Sequence, residues 1–136
     1  MRVILDTNVL ISGVFFAGPP SQILKAWRDG RFDLVLSEEI IEEYQRVGEA
    51  LARRFPGLPL GPVLELIVAR SRICLSPPLP EVACDDPADD KFLACALAGG
   101  ARVIVSGDKA LLRTTGYGGA RVVTPRQFIT QYLEHR

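Results

Sequence analysis

The sequence predicts an α/β fold in which one parallel, five-stranded sheet is flanked by helices, in a single three-layer domain spanning residues 1–136. Short runs rich in β-branched residues alternate with longer amphipathic segments, which is the pattern of strands joined by helical crossovers. The strand-like runs are mostly apolar, as in strands that are buried on both faces of a parallel sheet. With 136 residues and 48% hydrophobic content, the chain is long enough to form one core.

Five short runs are predicted as strands because each is rich in Val, Ile and Leu and is bounded by turn or capping residues. The first run is the clearest, since it ends directly on a carboxylate, and the third is the weakest. The runs are Arg2 to Leu5, Asp33 to Leu36, Ile73 to Leu75, Arg102 to Val105 and Arg121 to Val123.

Residues that start and stop helices predict the segments between the strands. Ser37 is expected to cap a helix beginning at Glu38, whose apolar stripe places Glu43 toward the inside and Glu42 toward solvent. The remaining predictions are an apolar segment at 9–16, a helix from Pro19 that stops at Gly30, a helix over 61–70, a helix capped by Asp86 that stops at Gly99, a turn at 109–112, and a final helix opened by the capping box of Thr124 and Gln127.

Composition narrows the chemistry that the chain can perform. Sixteen basic and sixteen acidic residues balance, so a nucleic acid would have to bind a local basic patch. Three cysteines without a C-x-x-C pair predict a reducing cytoplasm and argue against a disulfide framework or a zinc site. No apolar run is long enough to span a membrane, and Asp6 interrupts any start resembling a signal peptide. The only histidine, His135, is one residue from the end, which argues against His-dependent triads.

Acidic residues follow two of the predicted strands and lie on two of the predicted helices. Asp6 and Asp108 each follow a strand, and the carboxyl ends of parallel strands meet at one edge of a sheet, where ligands bind in α/β folds. Glu43 and one of Asp89 or Asp90 are expected to join them, and helical geometry alone does not choose between those two. Clustered carboxylates repel unless a cation neutralises them, and all-oxygen ligands favour Mg²⁺ or Mn²⁺. The competing interpretation is that each acid is a solvated helix cap.

Four blocks, each containing acidic residues, carry a family resemblance that covers nearly the whole chain. They read L-D-T-N-V-L-I-S-G at 5–13, S-E-E-I-I-E-E-Y at 37–44, D-P-A-D-D-K-F-L-A-C-A at 86–96 and V-S-G-D-K-A-L-L at 105–112. In these blocks the chain resembles the PIN domain ribonucleases, in particular the PIN-type toxin components of bacterial and archaeal toxin–antitoxin pairs.

The resemblance implies a fold, a site and an activity. The implied sheet order is 3-2-1-4-5, and the implied activity is Mg²⁺-dependent hydrolysis of single-stranded RNA that leaves 5′-phosphate and 3′-hydroxyl ends. The family pattern D-x-x-[IL]-A-x-x-A favours Asp90, although its last Ala falls at 96 instead of 97. Ser106 takes the place of the hydroxyl before the fourth acid, and Asn8 that of the polar residue after the first. The implied catalytic and metal-binding acids are Asp6, Glu43, Asp90 and Asp108.

Partners are expected from the same considerations. Because the net charge is zero, RNA should contact a local basic rim. The resemblance also implies a small antitoxin protein as a partner, and it suggests a homodimer formed through the helices after Ser37 and Gly61. The candidate rim residues are Arg46, Arg53, Arg54, Lys109 and Arg113.

Two alternative functions remain open at this stage. One is a PIN-like module that lacks activity and binds RNA or a protein partner. The other is a receiver-like domain in which an Asp after a strand accepts a phosphoryl group. The receiver pattern needs a lysine at the end of a late strand, whereas Lys109 follows Asp108 within a predicted turn.

Overall fold

The computed structural model describes residues 1–57 and 60–134, and in it five parallel strands form one sheet in the order β3-β2-β1-β4-β5. This confirms the predicted α/β fold and the strand order implied by the resemblance. The strands are β1 (Arg2–Leu5), β2 (Asp33–Leu36), β3 (Arg72–Ile73), β4 (Val103–Val105) and β5 (Arg121–Val123).

Helices connect each strand to the next and flank the sheet. The longest, α3, begins after Ser37, whose hydroxyl accepts the Ile40 amide as predicted. Thr124 and Gln127 form the predicted capping box, after which the last helix continues as a π-helical turn at Ile129–Leu133. The helices are α1 (Thr7–Phe15), α2 (Pro19–Arg28), α3 (Glu38–Arg54), α4 (Leu60–Arg70), α5 (Asp90–Gly99), α6 (Lys109–Leu112) and α7 (Pro125–Phe128).

The central strand β1 is paired on both sides, with β2 and β4. Its last residue, Leu5, is in register with Val105 at the end of β4, so the two chains leave the sheet side by side. The pairing continues past the strands, since the Asp6 amide donates to the Val105 carbonyl at 2.9 Å. Helix α5 packs against β1, β2 and β4, and its buried residues 92–96 cover the middle of the sheet.

The strand β3 and the start of α5 differ most from their predicted bounds. Smaller differences are that β4 begins at Val103 instead of Arg102, and that α1 begins at Thr7 and α4 at Leu60. The edge strand β3 spans Arg72–Ile73 instead of Ile73 to Leu75. Both of its residues are exposed, so a pattern of buried apolar residues does not mark its bounds. The helix predicted from Pro87 is instead a 3₁₀ turn at Pro87–Asp89 followed by α5. Asp86 caps that turn, accepting the Ala88 amide at 2.9 Å.

Other predictions concern the cysteines, the membrane and the histidine. Cys74, Cys84 and Cys95 are free thiols, and the sulfurs of Cys74 and Cys95 lie 3.6 Å apart between the end of β3 and α5. Across the described ranges, every helix is too short or too polar to cross a bilayer. His135 lies outside the described residues.

Candidate active site

Asp6 is the buried carboxylate at the carboxyl end of β1. It stands at the N-cap position of α1, but its side chain makes no capping bond, which disfavours the interpretation of Asp6 as a helix cap. Only 7% of the residue is exposed, and its Oδ2 accepts a hydrogen bond from the Ser106 hydroxyl at 2.6 Å. The hydrogen bond from Ser106 fixes the orientation of this buried carboxylate and offsets part of the cost of burying it.

Ser106 joins the ends of the two neighbouring strands. It is fully buried, donates to Asp6 and accepts the backbone N–H of Asp108 at 3.0 Å. Asp108 is exposed and caps α6, since its Oδ1 accepts the Ala110 amide at 2.9 Å. The hydroxyl predicted before the fourth acid therefore orients the first acid and positions the backbone of the fourth.

Glu43 reaches the same edge of the sheet from α3. The hydroxyl of the next residue, Tyr44, donates to the carbonyl of Leu5, which holds α3 against the end of β1. One carboxylate oxygen of Glu43 accepts the Thr7 hydroxyl, and the other pairs with the Lys91 ammonium at 2.5 Å. Glu42 is exposed, as the helical pattern predicted.

Asp89 and Asp90 have different surroundings. The carboxylate of Asp90 accepts the backbone amide of Cys84 at 2.8 Å and that of Ala83 at 3.2 Å, so it holds the connector that precedes the 3₁₀ turn. The pKa of Asp89 is raised by its burial and by the negative charges of Asp6, Asp108, Asp86 and Glu43. The family pattern favours Asp90 as the third acid of the site. In the structure Asp90 anchors a loop, and Asp89 is the residue whose pKa responds to the charges of Asp6, Asp108 and Glu43.

Burial and repulsion between carboxylates raise the pKa values of Asp6 and Asp89. Burial raises the pKa of Asp6, repulsion from Glu43 and Asp108 raises it further, and the hydrogen bonds from Ser106 and the Thr7 backbone lower it in part. Burial, followed by repulsion from Asp6 and Asp108, raises the pKa of Asp89 to about 6. These carboxylates share one electrostatic environment at the carboxyl ends of β1 and β4.

The donor set fits a hard divalent cation in its chemistry. All four side chains offer carboxylate oxygens, and their repulsion is of the kind that a divalent cation relieves. Among the described residues, however, no three acidic, cysteine or histidine side chains converge into a group able to hold a metal. Their oxygens are directed to Ser106, Thr7, Lys91 and backbone amides instead. Any cation would have to compete with these protein partners.

Comparison with known proteins identifies the family of the chain. The model of the PIN domain family matches residues 2–110, which include both strand-end acids and both helical ones. The chain belongs to the PIN domain family. PIN domains are generally nucleases, so membership supports a nuclease-type function.

Among solved structures, this PIN domain is similar to the crystal structure of PAE2754 from Pyrobaculum aerophilum. The two are 17% identical with a TM-score of 0.65, and the match covers 99% of this chain and 91% of the other. At that identity the likeness shows a shared fold. No curated protein matches the chain.

The predicted basic residues of the PIN domain lie at different distances from the acids. Arg46 is 3.8 Å from Glu43, and Arg113 pairs with Asp85 at 2.5 Å on the surface. Arg53 lies ten residues beyond Glu43 on α3, about 15 Å along the helix axis. Lys109 is exposed and directly follows Asp108. The supporting residue Asn8 is also exposed, two residues after Asp6. The candidate rim is therefore spread along α3 and around α6.

Three residues at the site escaped the sequence analysis. Lys91, Thr7 and Tyr44 contact Glu43 or fix the helix that carries it. A signal for Lys91 did exist, because it is the last charged residue before an apolar helix and follows two aspartates. Its partner could not be identified, since the pair joins residues 48 positions apart.

Proposed function

We propose that this PIN domain is a Mg²⁺- or Mn²⁺-dependent endoribonuclease that hydrolyses phosphodiester bonds of single-stranded RNA, and that it is the toxin of a toxin–antitoxin pair. The observation that carries the proposal is the buried Asp6 carboxylate, held by Ser106 beside three further acids whose charges act on it or on Asp89. Family membership supports the nuclease class, and the donor chemistry supports the choice of cation.

The residues of the site have distinct roles in the proposed reaction. Asp6, Glu43, Asp108 and Asp89 or Asp90 would hold the cation, which when bound supplies a Lewis acid for a phosphate oxygen and a water of lowered pKa. Ser106 fixes the orientation of the Asp6 carboxylate, and Thr7 fixes that of Glu43. Arginines along α3 are proposed to bind the phosphates of the RNA strand, which the four acids alone would repel.

Replacement of Asp6 tests the proposal at its central residue. We expect Asp6→Asn to abolish cleavage of single-stranded RNA while leaving the metal-free fold equally or more stable, because it removes like-charge repulsion. Mg²⁺ should raise the melting temperature of the parent protein and raise that of the variant less, since only a folded site binds the cation. Thermal melts with EDTA and with millimolar Mg²⁺ measure both effects.

A matched control separates the site from general charge effects. Glu42→Gln removes an equal charge from the exposed side of the same helix and should leave cleavage and the Mg²⁺ response unchanged, whereas Glu43→Gln should reduce both. Equal Mg²⁺ responses in the parent and Asp6→Asn proteins, with RNA cleavage retained by the variant, would refute the metal-nuclease proposal.

The toxin part of the proposal has a separate test. Expression of the parent protein should arrest growth and expression of Asp6→Asn should not. Coexpression of the product of a short gene directly upstream, encoding a small and partly disordered protein, should relieve the arrest. RNA cleavage in vitro without growth arrest would leave a nuclease and remove the toxin role.

Two observations favour the alternative of a PIN-like module that binds RNA without cutting it. Glu43 is already neutralised by Lys91, and the acids do not converge within the described parts of the chain. A binding module would retain single-stranded RNA with equal affinity in EDTA and Mg²⁺ and would leave it uncut. The receiver-like alternative gains no such support, because the comparisons show a PIN domain.

A further inference from the structure

Lys91 places an ammonium group inside the candidate active site. It is the second residue of α5, and its Nζ is 2.5 Å from Oε1 of Glu43. The lysine side chain is 17% exposed and that of Glu43 is 14% exposed, so this ion pair is largely shielded from water. A shielded pair of opposite charges is costly to break, because either partner alone would be left uncompensated.

The second cation at Glu43 provides a natural comparison. Arg46 lies one turn further along α3, 3.8 Å from the same carboxylate oxygen, and its side chain is 68% exposed. An exposed pair at that distance is screened by water and contributes little. Lys91, and not Arg46, is therefore the cation that neutralises Glu43.

Both oxygens of Glu43 have protein partners in this arrangement. Oε1 is held by Lys91 and Oε2 accepts the Thr7 hydroxyl. A divalent cation that uses Glu43 must therefore displace the ammonium or share the carboxylate with it at close range, where two positive charges repel.

We propose that Lys91 is a resident counter-ion of the metal site. It neutralises Glu43 in the metal-free protein, competes with the divalent cation for that carboxylate, and thereby lowers the affinity of the site for metal. The inference rests on the proposed function, in which Glu43 is a metal ligand. Lys91 acts through Glu43, so it is a positioning residue and not a catalytic one.

Two opposite effects of removing the ammonium follow from competition. Without Lys91, the Glu43 carboxylate is shielded and unpaired in EDTA, so the metal-free protein should melt at a lower temperature. The same change removes a competitor for the Glu43 carboxylate, so Mn²⁺ should bind more tightly. A coupling free energy of ordinary size between two bound groups corresponds to about tenfold in affinity. The gain in melting temperature on adding Mn²⁺ should grow accordingly.

The experiment compares Lys91→Met with Arg46→Met in the full chain. Titration calorimetry with Mn²⁺, and thermal melts in EDTA and in millimolar Mn²⁺, are run on both variants and on the parent. We expect Lys91→Met to melt lower in EDTA and to bind Mn²⁺ more tightly, and we expect Arg46→Met to match the parent in both measurements. Lys91→Arg should restore the behaviour of the parent.

A double variant keeps the inference testable if the protein does not fold after Lys91 alone is replaced. Glu43→Gln combined with Lys91→Met removes both charges, so it should fold, and Lys91→Met should no longer tighten Mn²⁺ binding in the Glu43→Gln background. Persistence of the tightening there would overturn the inference, because Lys91 would then act on another group.

The remaining outcomes distinguish the two proposals. If the parent binds Mn²⁺ and Lys91→Met binds it equally or more weakly, the counter-ion role is wrong and the metal-nuclease proposal stands. If the parent shows no binding and no thermal response to Mn²⁺ or Mg²⁺, the proposed function fails and this inference fails with it.

Discussion

Asp89 and Asp90 are adjacent in sequence but have different roles in the structure. The pattern of helical faces left both open, and a family pattern that matches imperfectly favoured Asp90. The structure separates them through the connector before α5, whose amides at Ala83 and Cys84 are bound by Asp90. That choice depends on the path of an irregular loop, which sequence periodicity does not encode.

Single replacements should separate the two aspartates. Asp90→Asn is expected to lower the free energy of unfolding by about 1–3 kcal/mol, because two amides lose a charged acceptor. Asp89→Asn should leave the metal-free fold equally or more stable and should weaken both the Mg²⁺ response and RNA cleavage. Urea unfolding in EDTA and cleavage assays in Mg²⁺ measure these effects. Loss of cleavage confined to Asp90→Asn at full stability would return the third site to Asp90.

The raised pKa of Asp89 predicts a pH dependence of stability. The folded protein holds the proton up to about pH 6, whereas the unfolded chain releases it near the ordinary value of 3.8. This contribution is therefore fully present below 3.8 and is lost as the pH rises through about 6. In EDTA, the stability of Asp89→Asn relative to the parent should increase across that window. A difference that stays constant with pH would contradict the shared environment of the acids.

At the scale of elements, the predictions succeeded where side-chain chemistry is local. Ser37 and Thr124 cap the helices that they were predicted to cap. The helical periodicity of α3 correctly predicted that Glu43 faces inward, where it contacts Thr7. The strand β3 exists as predicted, but its bounds and the start of α5 were predicted wrongly, because exposed residues and a 3₁₀ turn leave no periodic signal. The strand order came only through the family resemblance, since local pattern does not order parallel strands.

Two glycines in the helices predict how closely the elements pack. A Cβ on Gly99 of α5 would lie 2.5 Å from Cγ1 of the buried Val35 on β2, whose branched side chain has little freedom to move. A Cβ on Gly48 of α3 would meet the flexible end of Leu60 at 2.3 Å.

Gly99→Ala is therefore expected to cost about 1–3 kcal/mol of unfolding free energy through overpacking. Gly48→Ala should be closer to neutral, because a gain of up to about 1 kcal/mol in helix propensity offsets the shift of Leu60. Chemical denaturation of the two variants makes the comparison. A larger loss at Gly48 would show that α3 and α4 pack more rigidly than α5 and β2.

At the scale of the whole molecule, the zero net charge leads us to expect that RNA would bind only through local basic residues. We expect binding of single-stranded RNA by the Asp6→Asn protein to weaken with salt, and the combined charge reversal Arg53→Glu and Arg54→Glu to weaken it further and reduce the salt slope. Filter binding at several salt concentrations measures both. Unchanged binding after the reversal would exclude this end of α3 from the rim.

An apolar groove lies between α3 and α4, and we propose that the predicted homodimer forms there. The groove has a volume of about 520 Å³, and its lining includes Gly48, Leu64 and Val68. Two copies joined there would cover this groove and bury its apolar lining. Light scattering across the micromolar range should give twice the 14.9 kDa chain mass. A monomer mass throughout that range would remove the dimer.

The bond between Ser106 and Asp6 joins residues 100 positions apart, and this separation affects how the protein is made. A ribosome emits β1 first and must add roughly 100 more residues before β4 exists, which takes about 5–20 s at ordinary rates of synthesis. Until then the central strand has one edge without its permanent neighbour. The strand ends that carry Asp6 and Asp108 therefore become neighbours only late in translation, and a nascent chain that stalls before β4 carries Asp6 and Glu43 without the rest of the candidate site.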